Sequence, residues 1–155
     1  MKNILLIALA IMFFSSFTSS TLHVQSSSAD VLGVYFNAEK DAKIQIYLAS
    51  NNKYAGKVLW MSEPKDENSD YKKDAKNPDE ALRTRTRLGL VILENFVFDA
   101  DDDRWEDGSV YDPKTGKTYS GYMKFEDGNI DQLFLRGYVA GIPLLGRTAE
   151  WTRVK

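Results

Sequence analysis

The 155-residue chain contains no cysteine, a single histidine, four prolines and no excess of basic residues. Without cysteine there is no disulfide, no thiol nucleophile, no thiolate metal site and no lipidated cysteine. Histidine occurs only as His23, beside an N-terminal apolar segment, so the rest of the chain cannot assemble a Ser-His-Asp triad or a histidine-rich zinc site. Lys and Arg total 20 against 22 Asp and Glu, a net charge of −2, which does not supply the basic surface that nucleic acid requires. Past Phe14 no apolar run approaches the roughly 18 to 20 residues that cross a bilayer, so the chain is not expected to be integral to a membrane.

What is present begins with "MKNILLIALAIMFFSSFTSS", in which one lysine precedes an apolar run from Ile4 to Phe14 and then small polar residues. That is the layout of a signal peptide over residues 1–20, with a second small-x-small cleavage site as late as Ala29. It predicts an exported protein, periplasmic or secreted, whose residues 30–155 form a single domain held by its core alone. Hydrophobic residues make up 43% of the chain, enough for such a core.

The remainder alternates in the manner of strands. In "KIQIYLAS" Ile44, Ile46 and Leu48 face one way and Gln45 and Tyr47 the other, and Asn51-Asn52 marks a turn into "KYAGKVLWM". Residues 62–80 are polar and charged, a long surface loop with a short helical turn after Pro78. "LGLVILENFVF" is the longest apolar stretch, and Gly89 with its β-branched residues favours a strand. Four further segments follow the acidic turn at Asp99–Asp103 and, with "LGVYFN" before Lys43, give about eight short strands and little helix. The pattern predicts an all-β domain, an antiparallel barrel or sandwich.

"DPKTGKTYSG" at 112–121 contains Gly-Lys-Thr, the tail of a phosphate-binding loop. The opening glycine of that motif falls on Tyr111, and the residues after Lys117 alternate as a strand and not as a helix. The segment therefore reads as a hairpin turn with Gly116 in the left-handed position, and no nucleotide is expected.

The motifs "YAGKVLWM", "DAKNPDEALRTRTRLGLVIL", "WEDGSVYDPKTGKTYSGYMKF" and "LFLRGYVAGIPLLGRTAEWTR" together resemble the bacterial exported family known as domain of unknown function 2147, over Gly33 to Arg153. The resemblance implies a lipocalin-like fold, a closed up-and-down barrel of about eight strands with a lumen, and carries no catalytic residues. Lipocalins open their first strand with Gly-x-Trp and cover the ring with an arginine. Gly33 and Tyr35 hold the matching places here, and Arg147 or Arg153 is the arginine expected to stack on Tyr35 and close one end.

Three clusters are candidate sites. Asp99, Asp101 and Asp103 alternate like calcium ligands, but the sixth and twelfth positions of such a loop hold Arg104 and Val110, so no metal is expected. Arg83, Arg85 and Arg87 would share one face of a strand, either as an anion site in a lumen or, as the following Leu88, Leu90 and Ile92 favour, as surface partners of Asp74 or Asp79. Phe134, Arg136 and Tyr138 share a face on a late strand, similar to the clamp with which cytosolic fatty-acid-binding proteins hold a carboxylate. In one arrangement Arg136 and Tyr138 anchor a ligand between the aromatic walls Trp60, Tyr119, Phe125 and Phe134. In the other Leu133, Leu135 and Val139 point inward and Arg136 lies outside.

No pair of carboxylates is singled out by spacing, and Ser109 and Ser120 lack a histidine, so catalysis is not expected and no cofactor is implied. The sequence predicts an exported barrel that binds a small hydrophobic or lipid-like ligand with a polar or carboxylate head. The alternative is a filled barrel acting as a structural or protein-interaction module of the cell envelope.

Overall fold

A computed structural model describes residues 25–139 and 141–155; the expected signal segment up to residue 24, His23 included, lies outside the described residues. Eight strands run in chain order: β1 Gly33–Phe36, β2 Ala42–Leu48, β3 Tyr54–Met61, β4 Val91–Asp99, β5 Arg104–Asp112, β6 Lys117–Phe125, β7 Gln132–Tyr138 and β8 Gly146–Arg153. Each is antiparallel to the next, and β8 returns to β1 through Tyr35↔Arg153 and Phe36↔Thr152, so the sheet closes as an up-and-down barrel. Closure removes both sheet edges, which an exposed eight-stranded sheet would otherwise leave open to other chains. The only described helical pieces are two short 3-10 turns, Glu80–Leu82 after Pro78 and Pro143–Leu145.

An up-and-down barrel has two ends, and the sequence treats them differently. At one end lie residues 25–32, the C-terminus and the loops 49–53, 100–103 and 126–131. At the other lie 37–41, the long segment 62–90, the hairpin turn 113–116 and the loop 139–145.

The first end is packed solid. Trp105 is fully buried against Phe98, Phe125 and Tyr54, with ring centroids 4.9, 5.5 and 6.3 Å away. Above it, Phe96 lies across the barrel axis where two inward positions are glycine. A Cβ on Gly108 would fall 2.3 Å from its ring, and one on Gly121 would meet Val110 at 2.7 Å. Small residues opposite a large one let the barrel wall close around Phe96, which is how a lumen becomes core.

Residues 25–32 then plug this end. Trp105 Nε1 donates to the Ser28 carbonyl at 3.1 Å, and the Ser26 amide donates to Asp103 at 2.9 Å. Tyr35 Oη donates to the Val31 carbonyl at 3.1 Å. The Arg153 guanidinium lies 4.7 Å from the Tyr35 ring centroid and donates to the carbonyls of Ile130, Leu32 and Asp30. A Cβ on Gly33 would strike Arg153 Nη1 at 2.5 Å, so that position admits only glycine without a shift. Gly33, Tyr35 and Arg153 thus meet at the closed end, while Arg147 sits at the opposite end of β8.

The Gly-Lys-Thr segment is a turn. Gly116 has φ +76°, its amide donates to the Asp112 carbonyl at 2.8 Å, and Lys117 opens β6.

Candidate functional site

Inward positions near the second end are smaller and do not meet. A cavity of about 290 Å³ opens there, walled by Ala42, Ile44, Val58, Ile92, Val110, Leu135 and Ala149 and reaching down to Trp151. Its rim comes from three connections: Asn37, Glu39 and Asp41 after β1, Met61 and Arg87 at either end of the long segment, and Asp112, Pro113 and Lys114 in the β5–β6 turn. Ligand cavities run from roughly 300 to 1,000 Å³, so this one suits a short chain or a small ring system and not a long lipid tail.

The rim's carboxylates are already engaged. Asp41 accepts from Asn37 at 2.6 Å and from Lys114 at 3.2 Å, a contact that ties the β1–β2 loop to the β5–β6 turn. The bond from Asn37, with Lys114 adding to it against burial, holds the Asp41 carboxyl below its ordinary range. Glu39 accepts from Asn37 at 2.9 Å, and Asp112 accepts from the Lys114 amide and the Thr115 hydroxyl inside its own turn. Arg87 is different. Its Nε donates to the Lys73 carbonyl at 3.0 Å, and among the described residues no acceptor pairs with its two terminal nitrogens. It brings an uncommitted cationic fork to the rim of an apolar cavity, an arrangement that can recognise a carboxylate, sulfonate or phosphate.

What positions Arg87 is the long segment, and that segment is ordered by one buried carboxylate. Asp74, fully buried, accepts from Tyr111 Oη at 2.5 Å, from Asn77 Nδ2 at 2.8 Å and from Arg85 Nε and Nη2 at 3.1 and 3.0 Å. Burial disfavours its charge, but the Tyr111, Asn77 and Arg85 donors outweigh that and hold its carboxyl below the ordinary range. The neighbouring carbonyl of Lys76 sits where a Gly116 Cβ would be, 1.9 Å away, so the segment packs directly onto the turn. The Arg87 amide donates to the Lys72 carbonyl at 2.8 Å, which fixes the arginine to the same braced segment.

Several expected site residues lie elsewhere. Strand period two puts Leu133 and Leu135 inside the barrel, both buried, and therefore Phe134, Arg136 and Tyr138 outside. Arg136 Nε and Nη2 donate to the Pro143 carbonyl and Nη1 to Thr148 Oγ1, so it braces the β7–β8 loop and does not clamp a ligand in the lumen. Tyr138 faces Tyr122 on the outer wall, with centroids 6.4 Å apart. Trp60 is also outside, edge-on to Phe36 at 6.3 Å under the Lys43 ammonium. Phe125 faces inward but belongs to the packed half beside Trp105, and Tyr119 lies on the inward row of β6 beside Gly137.

The arginine strip does not form a strand. Residues 80–87 are a 3-10 turn followed by a turn, bends and an isolated bridge of Thr86 to Lys73, and the three side chains separate: Arg83 to Glu80, Arg85 to Asp74, Arg87 to the rim. In the acidic turn, Asp99, Asp102 and Glu106 bring carboxylate oxygens within 4.8 Å of one another, and Arg104 binds both Asp102 and Glu106 at 2.6 Å, which supplies the compensating charge.

A family model described as "Uncharacterized protein conserved in bacteria (DUF2147)" matches residues 33–153. Among solved structures, the chain is similar to protein HP1028 of Helicobacter pylori, described as belonging to the lipocalin family, with a TM-score of 0.67 and 22% identity over 81% of this chain and 83% of that one. No curated protein matches the chain. At that identity the likeness establishes the lipocalin-like barrel and nothing finer.

Proposed function

Starting from a chain that belongs to the DUF2147 family and folds as a lipocalin-like barrel, we propose that it binds a small, largely apolar ligand with an anionic head in the open half of its lumen. The observation that carries this reading is the pairing of an aliphatic cavity of about 290 Å³ with Arg87, whose terminal nitrogens are uncommitted among the described residues, at its rim. The walls shed water from an apolar tail, and the guanidinium offers two parallel donors to the head. Binding fits the rim better than catalysis does, because Asp41, Glu39 and Asp112 are held by Asn37, Lys114 and the turn. The run from Ile4 to Phe14 supports export, to the periplasm or beyond. The packed closed end favours the alternative, a filled barrel used for interactions alone.

An anilinonaphthalene sulfonate dye, apolar and anionic, tests the reading by fluorescence titration in a Leu144→Asp background, which removes an exposed leucine of the β7–β8 loop. Saturable one-to-one binding is expected. Ala149→Phe, which fills the cavity, lowers affinity by at least about tenfold. Arg87→Leu does the same, since a hydrogen bond to a charged group is worth about 1.5–3 kcal/mol. Binding that survives Ala149→Phe, or no binding at all, overturns the proposal in favour of the filled barrel.

A further inference from the structure

The second feature of the open end is the β7–β8 loop. Val139, Ile142, Leu144 and Leu145 are 45, 45, 89 and 60% exposed, four large aliphatic side chains within seven residues. Such an apolar cluster on a surface marks an interaction site when it is held out deliberately, and this loop is. The Pro143 carbonyl receives two bonds from Arg136, Val139 donates to Leu145, and Leu145 and Ile142 donate to Ile142 and Val139 in turn. The arginine that would serve a surface ion pair instead gives Nε and Nη2 to the backbone beneath Leu144 and Nη1 to Thr148.

The surroundings select the partner. From Gln132 to Ala149 there is no Asp or Glu, in a chain with 22 of them, and the two charges present are Arg136 and Arg147. Arg147 is exposed and continues the inward row of Trp151 and Ala149 past the rim. Tyr138 and Tyr122 stand together at the root of the loop. An aliphatic tip, tyrosines below it and arginine in a hairpin that carries no carboxylate of its own is the order of groups met on passing from acyl chains through headgroups to anionic phosphates. A protein partner fits less well. One seven-residue loop offers a small fraction of the roughly 800 Å² per side that a stable interface buries, and the exposed tip has no aromatic anchor.

We propose that the β7–β8 loop is a membrane-docking element that inserts Ile142, Leu144 and Leu145 into an anionic lipid surface. The proposal rests on the loop and on the barrel's topology, and stands whether or not the lumen binds a ligand.

All eight strands, the plug and the loop lie within residues 25–155, and protein of that span lacks the Ile4–Phe14 run, which would itself bind membranes. Sedimentation with vesicles of phosphatidylglycerol and phosphatidylcholine, against pure phosphatidylcholine, reads the partition. We expect binding that rises with the anionic lipid and weakens with salt. The Leu144→Asp/Leu145→Asp variant should lose roughly tenfold or more of it while keeping its near-ultraviolet circular dichroism, because both side chains are already in water. Arg147→Glu should lower binding to the anionic vesicles severalfold and leave the neutral ones unchanged. No sedimentation at millimolar lipid, or equal partition of wild type and the double variant, overturns the proposal. So does a concentration-dependent dimer that the double variant abolishes, which would assign the loop to a second copy of the chain.

Discussion

Replacing Asp74 by alanine should cost about 2–4 kcal/mol at neutral pH. The side chain is fully buried and accepts from Tyr111, Asn77 and Arg85. Its removal leaves the part-buried Tyr111 hydroxyl without its acceptor and the buried Asn77 amide with only its bond to Tyr111 Oη, and an unmet buried donor costs about 1–3 kcal/mol. Arg85 is 40% exposed, rehydrates, and adds little. Because residues 62–90 can peel away while the barrel stays closed, the penalty divides between local opening and global unfolding. Two readouts are therefore needed: urea denaturation for the barrel, and limited proteolysis for the segment, where cleavage should accelerate by a factor of ten or more. Tyr111→Phe removes one donor, and in the double variant its effect should shrink, giving a coupling of about 1 kcal/mol or more. The pH dependence has a definite sign. The folded carboxyl titrates below its ordinary 3.8, so this stabilisation is complete above that value and is lost as the pH falls through the lower folded value. An Asp74→Ala protein with unchanged urea midpoint and unchanged cleavage rate would refute the reasoning that one carboxylate orders the segment.

Burial pushes the Tyr35 hydroxyl up to about 12, against the opposing pull of Arg153, so the fold should be at full strength below pH 10 and weaken as the pH rises towards 12. Tyr35→Phe should flatten that alkaline limb in stability measured from pH 8 to 12, and an unaltered limb would assign it to other groups. Gly116→Val combines a φ of +76° with a Cβ placed 1.9 Å from the Lys76 carbonyl, so it should destabilise by more than the roughly 1–2 kcal/mol of the strained backbone alone and free the 62–90 segment to protease. A change within about 0.5 kcal/mol would mean that the turn tolerates a side chain. If the chain is exported, processing should leave Gln25 onward intact, because the Ser26 amide and Ser28 carbonyl are held by Asp103 and Trp105. N-terminal sequencing that begins after Ala29 would show the plug to be dispensable.

The barrel was legible because its information is local. Period-two alternation in Ile44, Ile46 or Leu133, Leu135 and the turn residues Asn52 and Gly116 report strands one at a time, and eight of them with short connections leave few other closures. The closed end was legible for a related reason, since Gly33-x-Tyr35 follows a pattern whose arginine partner lies at a fixed place on the last strand. Where the candidate site lies was not. The clamp drawn from Phe134, Arg136 and Tyr138 assigned the right residues to one face but not which face, and that depends on whether the leucines or the arginine meet the core. The spaced arginines read as a strand because their period is two, yet the 3-10 turn and the Asp74 cluster override it. Every member of that cluster stood in the quoted motifs, but Asp74 and Tyr111 are 37 residues apart, and no spacing announces that contact. Arg87 was visible only as one of three equals; the carbonyl of Lys73 and the rim of the cavity distinguish it.

The central claim is that the open half of the lumen receives a ligand and the closed half does not. Methyl-labelled protein titrated with the sulfonate dye and followed by NMR tests this residue by residue. Shifts should concentrate at Ile44, Val58, Ile92, Val110, Leu135 and Ala149, which wall the cavity. Leu133 and Met123, in the packed half, should change little. Shifts confined to the exposed methyls of Ile142, Leu144 and Leu145, with the lumen silent, would contradict the account and leave the barrel a scaffold for its loop.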